Sequence, residues 1–211
     1  MTVSLSEPRG ADSARREQTR RRILDAAFVL IGHDKGRSVR IEEICVEAHI
    51  SRGSFYNYFN GMDDLFAALA DDLTHDFTLA VLAAMRGMES AAAQADAAMR
   101  HYLQRARRDP AWAWAMVNIG ATGPLFGAET FASARATVEL GIATGEFRLA
   151  DARVGRDIVL GACQAAIITH LREGSADDQP QAISRAVLRG LGVPADVAER
   201  IVARPLDRIA Q

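Results

Sequence analysis

The segment from Ile41 to Leu65, IEEICVEAHISRGSFYNYFNGMDDL, constrains the fold of this chain more than any other part of it. Its first residues place apolar or small side chains at i, i+3, i+4 and i+7, which is one buried face of a short helix: Ile41, Ile44, Cys45 and Ala48. Ser51 has the side chain of a helix N-cap, and the second helix that it begins buries Phe55 and Phe59. The sequence therefore predicts a helix-turn-helix, with the turn at Ala48-His49-Ile50 and a third helix beginning just after it.

The second helix of this motif also carries hydrogen-bonding side chains that a buried helix does not need. They are Arg52, Ser54, Tyr56, Asn57 and Tyr58. Such a helix fits the major groove of DNA, where base edges present donors and acceptors. An ordinary three-helix core with an aromatic-rich turn is the alternative, but it leaves the polar residues between Phe55 and Phe59 unexplained.

Together with the upstream runs TRRRILDAAFVLI and GRSVRI, this segment resembles the TetR family of transcriptional regulators. The resemblance covers residues 15 to 75, and its most specific part is SRGSFYNYF followed by DDL. It implies an all-α chain with an N-terminal three-helix helix-turn-helix domain, followed by a helical ligand-binding and dimerisation domain. We expect a flexible N-terminal arm over residues 1–14, the DNA-binding domain over 15–61, and the effector-binding and dimerisation domain over 62–211.

Three positions depart from the family pattern. Arg40 stands where the family tends to have Thr or Ser, and because Arg cannot accept a capping hydrogen bond, we expect Ser38 to cap the first motif helix instead. His49 replaces a glycine of the turn and tolerates a positive φ better than most residues. Met62 replaces a lysine that contacts a phosphate in the family, so Arg40 is a candidate for a substitute contact.

We therefore expect a DNA-binding set drawn from the first helix and the motif. Arg20, Arg21 and Arg22 crowd the beginning of a helix, where the macrodipole disfavours cations, so phosphate is a candidate partner for them. The resemblance implies that Arg52, Ser54 and Asn57 read bases and that Tyr56 and Tyr58 hold the backbone. The complete predicted set is Arg22, Ser38, Arg40, Ser51, Arg52, Gly53, Ser54, Tyr56, Asn57 and Tyr58.

Charge and composition agree with this division. The net charge is −2 for 211 residues, but ten basic against eight acidic side chains in residues 1–60 give +2 there and leave −4 for the remainder. The basic end is the proposed DNA end. Cys45 and Cys163 have no neighbouring Cys or His at metal-ligand spacing, so we expect small core residues, with a redox role for Cys45 as the alternative. No signal peptide precedes the first helix and no apolar run is long enough to span a bilayer, so we expect a cytoplasmic protein without membrane contact.

The remainder predicts further helices, one of which places both tryptophans beside polar and apolar partners in AWAWAMVN. Aromatic and methionine side chains with a few polar groups are the usual composition of a small-molecule site, although solid core is the common alternative. We expect a pocket that binds an effector and is lined by Phe77, Val81, Met85, Met99, Tyr102, Trp112, Trp114, Met116, Asn118, Phe126 and Gln164.

Two late helices, near 154–173 and 180–191, have the pattern of a dimer interface. Small residues in LGACQAAIITHL allow close helix approach, and AISRAVLRGL carries an apolar stripe on its helix. Two such helices from each chain would form a four-helix bundle, and intrachain packing is the alternative. Gln164 and His170 face either a pocket or this seam.

No catalytic motif was found: the chain lacks a G-x-S-x-G elbow, H-E-x-x-H, C-x-x-C, a Walker loop and G-x-G-x-x-G. We therefore expect no enzyme, no metal and no cofactor. The sequence predicts a homodimeric repressor that binds a palindromic double-stranded DNA operator and is released by a small apolar or aromatic effector. A constitutive DNA-binding regulator with a solid body and an all-helical enzyme with an unrecognised site are the alternatives.

Overall fold

The computed structural model describes residues 9–120 and 125–209, and within them the chain folds entirely as helices and connecting loops. The N-terminal part contains α1 (Arg9–Ile31), α2 (Ile41–Glu47) and α3 (Arg52–Tyr56), with a single 3-10 turn at Gly36–Ser38. The all-α class and the helix-turn-helix predicted from the sequence are confirmed.

The predicted arm over residues 1–14 needs correction where it is described. Helix α1 begins at Arg9, so residues 9–14 are helical, and residues 1–8 lie outside the described part. Helix α3 is also shorter than its sequence pattern suggested, because it ends at Tyr56. Phe59 nevertheless packs in the core with 3 % of its surface exposed.

The body begins without a linker. Its helices are α4 (Met62–Ala84), α5 (Ala91–Arg108), α6 (Pro110–Ile119), α7 (Gly127–Ala143), α8 (Ala152–Glu173), α9 (Gln179–Gly190) and α10 (Ala195–Val202).

Local chemistry sets several of these boundaries. Ser90 accepts a hydrogen bond from Ala93 N at the start of α5, and Asp109 accepts one from Trp112 N at the start of α6. Pro110 stands at the first position of α6, where its missing N–H costs nothing. Gly174 ends α8 with φ 76°, a left-handed conformation that glycine adopts without strain.

Packing in the body joins α4, α5, α7 and α8 around one core, with α9 and α10 covering α5. The N-terminal helices join this core at two places, because α1 packs against both α4 and α6. A salt bridge of 2.9 Å joins Arg21 of α1 to Asp72 of α4.

The second joint involves the amide of Asn118, which donates hydrogen bonds to Ile31 O at 2.8 Å and His33 O at 2.9 Å. These carbonyls follow the last turn of α1, where a helix leaves carbonyl groups without intrahelical partners. Close approach at the same place depends on Gly32, because a Cβ there would lie 3.1 Å from Ala111 O. Helix α6 therefore holds the end of α1.

Candidate nucleic-acid interface and buried cavity

The first motif helix begins in a way that the sequence did not predict. Arg40 is the residue before α2, and its backbone N–H donates to the Glu43 carboxylate at 2.8 Å. Ser38 lies in the preceding 3-10 turn, so the expectation that it caps α2 is wrong. The carboxylate of Glu43 provides this capping bond, because a guanidinium has no acceptor to offer.

His49 stands in the turn of the motif with φ 52°, a left-handed conformation that glycine adopts without strain. Ile50 N still donates to Cys45 O at 2.9 Å, which closes the turn. The predicted tolerance of His49 for a positive φ is confirmed.

Helix α3 begins as the sequence predicts, with Ser51 Oγ accepting from Ser54 N at 3.0 Å. Its outer surface is accessible: the side chains of Arg52, Tyr56 and Asn57 are exposed, and that of Tyr58 is half-buried. A Cβ on Gly53 would meet only Ser51 Oγ at 3.8 Å, so packing within the chain does not require glycine there.

Side chains around α3 hold several of its polar groups. Arg52 forms a 3.0 Å ion pair with Glu42 of α2, and both side chains are more than half exposed. From α1, Arg16 donates to Asn57 O at 3.4 Å and lies over the ring of Tyr58. Arg16 of α1 thus contacts the two residues that follow α3.

The other predicted interface residues lie on the same part of the molecule with different surroundings. Arg22, Ser38 and Arg40 are exposed. Arg21 is paired with Asp25 and Asp72, so part of its charge is already neutralised. Met62 begins α4, half-buried against the core, and offers no charge to a phosphate.

A cavity of about 50 Å³ lies in the body, between α4, α5, α7 and α8. Five of the predicted ligand residues line it: Val81, Met85, Met99, Tyr102 and Phe126. None of its described lining residues is charged. The cavity is large enough for water, but an apolar cavity that takes benzene has a volume near 150 Å³.

The remaining predicted ligand residues do not line this cavity. Phe77 and Trp112 pack behind it, with Trp112 stacked on Phe126 at 6.5 Å and donating its indole N–H to Leu73 O. Arg105 lies over both rings, 4.9 Å from Phe77 and 5.0 Å from Trp112. Phe77 and Trp112 therefore contact the wall residues Tyr102 and Phe126 without lining the cavity themselves.

The other four lie on or against α6. Met116 is buried in the core, Trp114 is half-buried, and Asn118 holds the end of α1. The Gln164 amide approaches Met116 O and Val117 O at 3.5 Å, the limit of a hydrogen bond. The tryptophan helix therefore faces α1 and the core.

Sequence reasoning missed the polar part of the cavity wall. Thr78, Tyr102 and Thr130, from three different helices, form a triangle of hydroxyl oxygens with distances of 2.8, 2.9 and 2.7 Å. Each of the three residues is at most 6 % exposed. Burial raises the pKa of the Tyr102 phenol above its ordinary value, although its hydrogen bonds with Thr130 and Thr78 oppose the shift. The phenol is therefore neutral at physiological pH.

A signal for this wall was present in the sequence. Thr130, Ser133 and Thr137 all line the cavity from α7, and their spacing of i, i+3 and i+7 places hydroxyls on one helix face. The prediction of the pocket from sequence rests on tryptophan and methionine instead. Only the packing of α7 against α4 and α5 joins this face to Thr78 and Tyr102.

Both cysteines are free and buried. Cys163 lines the cavity, and complete burial raises the pKa of its thiol to about 12. Burial, followed by the charge of Glu42, also raises the pKa of the Cys45 thiol. Neither environment produces a reactive thiolate near neutral pH.

Two features are absent from residues 9–120 and 125–209. No helix there combines the length and apolar character needed to cross a bilayer. In the same residues no cluster of three or more His, Cys, Asp or Glu side chains could hold a metal ion.

Both parts of the chain match models of known protein families. Residues 23–69 match the model described as bacterial regulatory proteins, tetR family, and residues 89–204 match the model described as tetracyclin repressor-like, C-terminal domain. An uncharacterised helix-turn-helix regulator of Haemophilus influenzae is 36% identical over 64 residues. That match spans only 31% of the Haemophilus protein.

Solved structures extend the likeness to nearly the whole chain. The crystal structure of RolR in complex with resorcinol is 31% identical, with a TM-score of 0.76, covering 94% of this chain and 100% of RolR. FadR from Bacillus subtilis in complex with stearoyl-CoA is 18% identical, with a TM-score of 0.62 over 83% of this chain and 98% of FadR, and shows the shared fold alone. The motif, the helical body and the two family models together establish that the chain is a DNA-binding transcriptional regulator of the TetR family.

Proposed function

We propose that this regulator is a homodimeric repressor that binds a palindromic operator and is released by a small, neutral aromatic effector. The observation that carries the proposal is the position of α4. This helix begins beside the DNA-reading motif at Met62, and farther along it supplies Thr78, Val81 and Leu82 to the cavity wall. A change in the cavity therefore acts on a helix that also supports the helix-turn-helix motif.

At the DNA, Arg52, Ser54 and Asn57 are proposed to read bases in the major groove, with Tyr56 and Tyr58 on the backbone. The exposure of Arg52, Tyr56 and Asn57 and the open space at Gly53 support this assignment. The ion pair between Arg52 and Glu42 must open before the guanidinium can bind a base. Because both partners are exposed to water, this opening costs little.

The size of the cavity supports an effector that changes the structure. A volume of about 50 Å³ is too small for an aromatic ring, so a ring can bind only if the surrounding helices or the flexible Met85 and Met99 move. Effector binding then favours an expanded body, whereas operator DNA favours one distance between the two helix-turn-helix motifs of the dimer. Thermodynamic linkage makes this coupling reciprocal.

The proposed dimer interface consists of the outward faces of α8 and α9. Val154 is 50% exposed at the start of α8, Ala165 is exposed, and a Cβ on Gly161 would meet no atom within 4 Å. On α9, Ala182 and Ala186 are also exposed. These small and apolar residues allow two copies to pack closely as a four-helix bundle.

A constitutive regulator is the second candidate. The observation that favours it is the small cavity, together with the filled aromatic core around Trp112. In that case no small molecule changes the DNA affinity.

The test combines DNA selection with two probes, resorcinol and phenol. We expect a dimer in sedimentation and a selected palindrome whose half-sites are separated by one turn of DNA, about 34–36 Å, or a multiple of it. In a Trp114→Phe variant, Trp112 is the remaining tryptophan, and its stacking on Phe126 makes its fluorescence sensitive to cavity binding. Both probes should change that fluorescence and release the DNA.

A monomer with no preferred palindrome would overturn the dimer proposal. DNA affinity that stays constant while the probes bind, or an absence of probe binding, would favour the constitutive regulator.

A further inference from the structure

The hydroxyl triangle in the cavity wall, formed by Thr78, Tyr102 and Thr130, has a fixed supply of hydrogens. Each hydroxyl carries one hydrogen and can accept two hydrogen bonds. Three oxygens at 2.7 to 2.9 Å from one another make three contacts, so one hydrogen serves each contact. A closed triangle of this kind uses all of its hydrogens internally and retains only acceptor capacity.

The other described residues of the cavity wall do not change the acceptor character of the triangle. They are apolar or neutral, and no described lining residue brings a cation that could bind a carboxylate. Ser133 and Thr137 also line the cavity but lie on α7 beyond Thr130, where they are half-buried. A ligand group that enters beside the triangle therefore meets acceptors.

We infer that the Thr78, Tyr102 and Thr130 triangle selects the effector as a hydrogen-bond donor, so that the cavity takes a neutral ring with an O–H group, such as a phenol, and excludes carboxylates. This inference rests on the proposed effector response and specifies its chemistry. An acceptor such as an ether or ketone oxygen binds there only if one hydrogen bond of the triangle breaks.

Binding of phenol and of its isostere toluene to the intact dimer separates the triangle from simple hydrophobic burial. Thr130→Val removes one hydroxyl and keeps the side-chain shape. The Thr78 and Tyr102 hydroxyls then share one contact and one hydrogen is free, so we expect anisole, whose oxygen only accepts, to bind this variant about two- to tenfold more tightly relative to its isostere ethylbenzene, and toluene to bind no more weakly than to the unchanged protein.

The matched control is Thr74→Val on the same helix as Thr78. Thr74 is 1 % exposed and its hydroxyl donates to Ala70 O at 2.8 Å, but it does not line the cavity. Thr74→Val should leave the affinities for both probes unchanged. Benzoate should not bind to either variant or to the unchanged protein.

For a second variant, Tyr102→Phe, we expect tighter binding of a ligand that accepts a hydrogen bond. Two threonine hydroxyls then share one contact, which leaves one hydrogen free to donate to a ligand. Anisole, whose oxygen only accepts, should therefore bind more tightly to Tyr102→Phe than to the unchanged protein, by about two- to tenfold relative to its isostere ethylbenzene. Loss of packing alone would weaken both compounds equally.

The outcomes separate the two levels of the proposal. If neither phenol nor toluene binds the unchanged protein, the effector proposal fails and this inference fails with it. If both bind but anisole gains nothing in Thr130→Val or in Tyr102→Phe, the effector proposal stands and donor selection by the triangle is overturned.

Discussion

Replacement of Asn118 by alanine should weaken the joint between α6 and the end of α1. The side chain is 5% exposed, and its amide donates to Ile31 O at 2.8 Å and His33 O at 2.9 Å. His33 O also accepts from Gly36 N at 2.9 Å and keeps that bond after the substitution. The principal loss is therefore one hydrogen bond to the buried Ile31 carbonyl.

A buried acceptor left without its partner costs about 1–3 kcal/mol. For a chain of 150–250 residues each kcal/mol lowers Tm by about 2–4 °C, so Asn118→Ala should melt roughly 2–12 °C lower. Asn118→Asp should be at least as destabilising, because a carboxylate offers no hydrogen to the two carbonyl oxygens and repels them. Urea denaturation measures the free energy of unfolding, and amide exchange at Gly32 and Gly36 reports the joint locally.

Gln164→Ala provides the matched control, because its amide lies 3.5 Å from Met116 O and Val117 O and its Oε1 is buried without a hydrogen-bond partner in the described structure. Truncation there removes weak bonds together with an unsatisfied acceptor, so its cost should be clearly smaller. Equal losses in Asn118→Ala and Gln164→Ala, or unchanged exchange at Gly32 and Gly36, would refute the reasoning.

Three further predictions concern DNA binding and acid stability. In a gel-shift assay, Arg52→Ala should weaken operator binding by about 1–3 kcal/mol and leave the binding of random DNA nearly unchanged. Glu42→Gln removes the ion-pair partner of Arg52 and should strengthen operator binding in the same assay. If Arg52→Ala weakens the binding of both DNAs equally, Arg52 contacts the DNA backbone and does not read a base. Met62→Lys adds one phosphate contact per subunit, so the slope of log K against log salt should become steeper by about 1.8 for a dimer, and an unchanged slope would place this helix start away from the backbone. Although burial opposes it, hydrogen bonds from Ser90 Oγ and the α5 amides Ala91 N and Ala92 N lower the pKa of Glu146 below its ordinary value. Glu146 therefore stabilises the fold above its unfolded-state pKa, about 4.3, and this stabilisation is lost as the pH falls through the lower folded-state pKa. Glu146→Gln should reduce Tm at neutral pH. A difference in Tm between the two proteins that persists at pH 2 would contradict this account.

Local sequence patterns predicted much of the fold because their causes are local. The spacing of Ile41, Ile44 and Cys45 identifies α2, and Ser51 caps α3 as expected. Pro110 and the side chain of Asp109 fix the start of α6. The exception is also local: α2 begins after Arg40 rather than after Ser38, and the carboxylate of Glu43, three residues later, accepts a hydrogen bond from the Arg40 N–H.

The cavity was predicted only in part. Val81, Met85, Met99, Tyr102 and Phe126 line it, whereas Trp112 and Met116 are core residues of the same helical periodicity. Periodicity shows that a side chain faces inward. It does not show whether the space next to that side chain is filled.

The sequence by itself determined the helical class, the helix-turn-helix motif and the family, because hydrophobic spacing, helix caps and the SRGSFYNYF motif each involve only a few neighbouring residues. Tertiary structure alone decided two features that join distant residues. Thr78, Tyr102 and Thr130 meet across separations of 24, 52 and 28 residues, and Asn118 reaches Ile31 across 87. Such contacts depend on how whole helices pack, and no pattern within one helix specifies its neighbour's register.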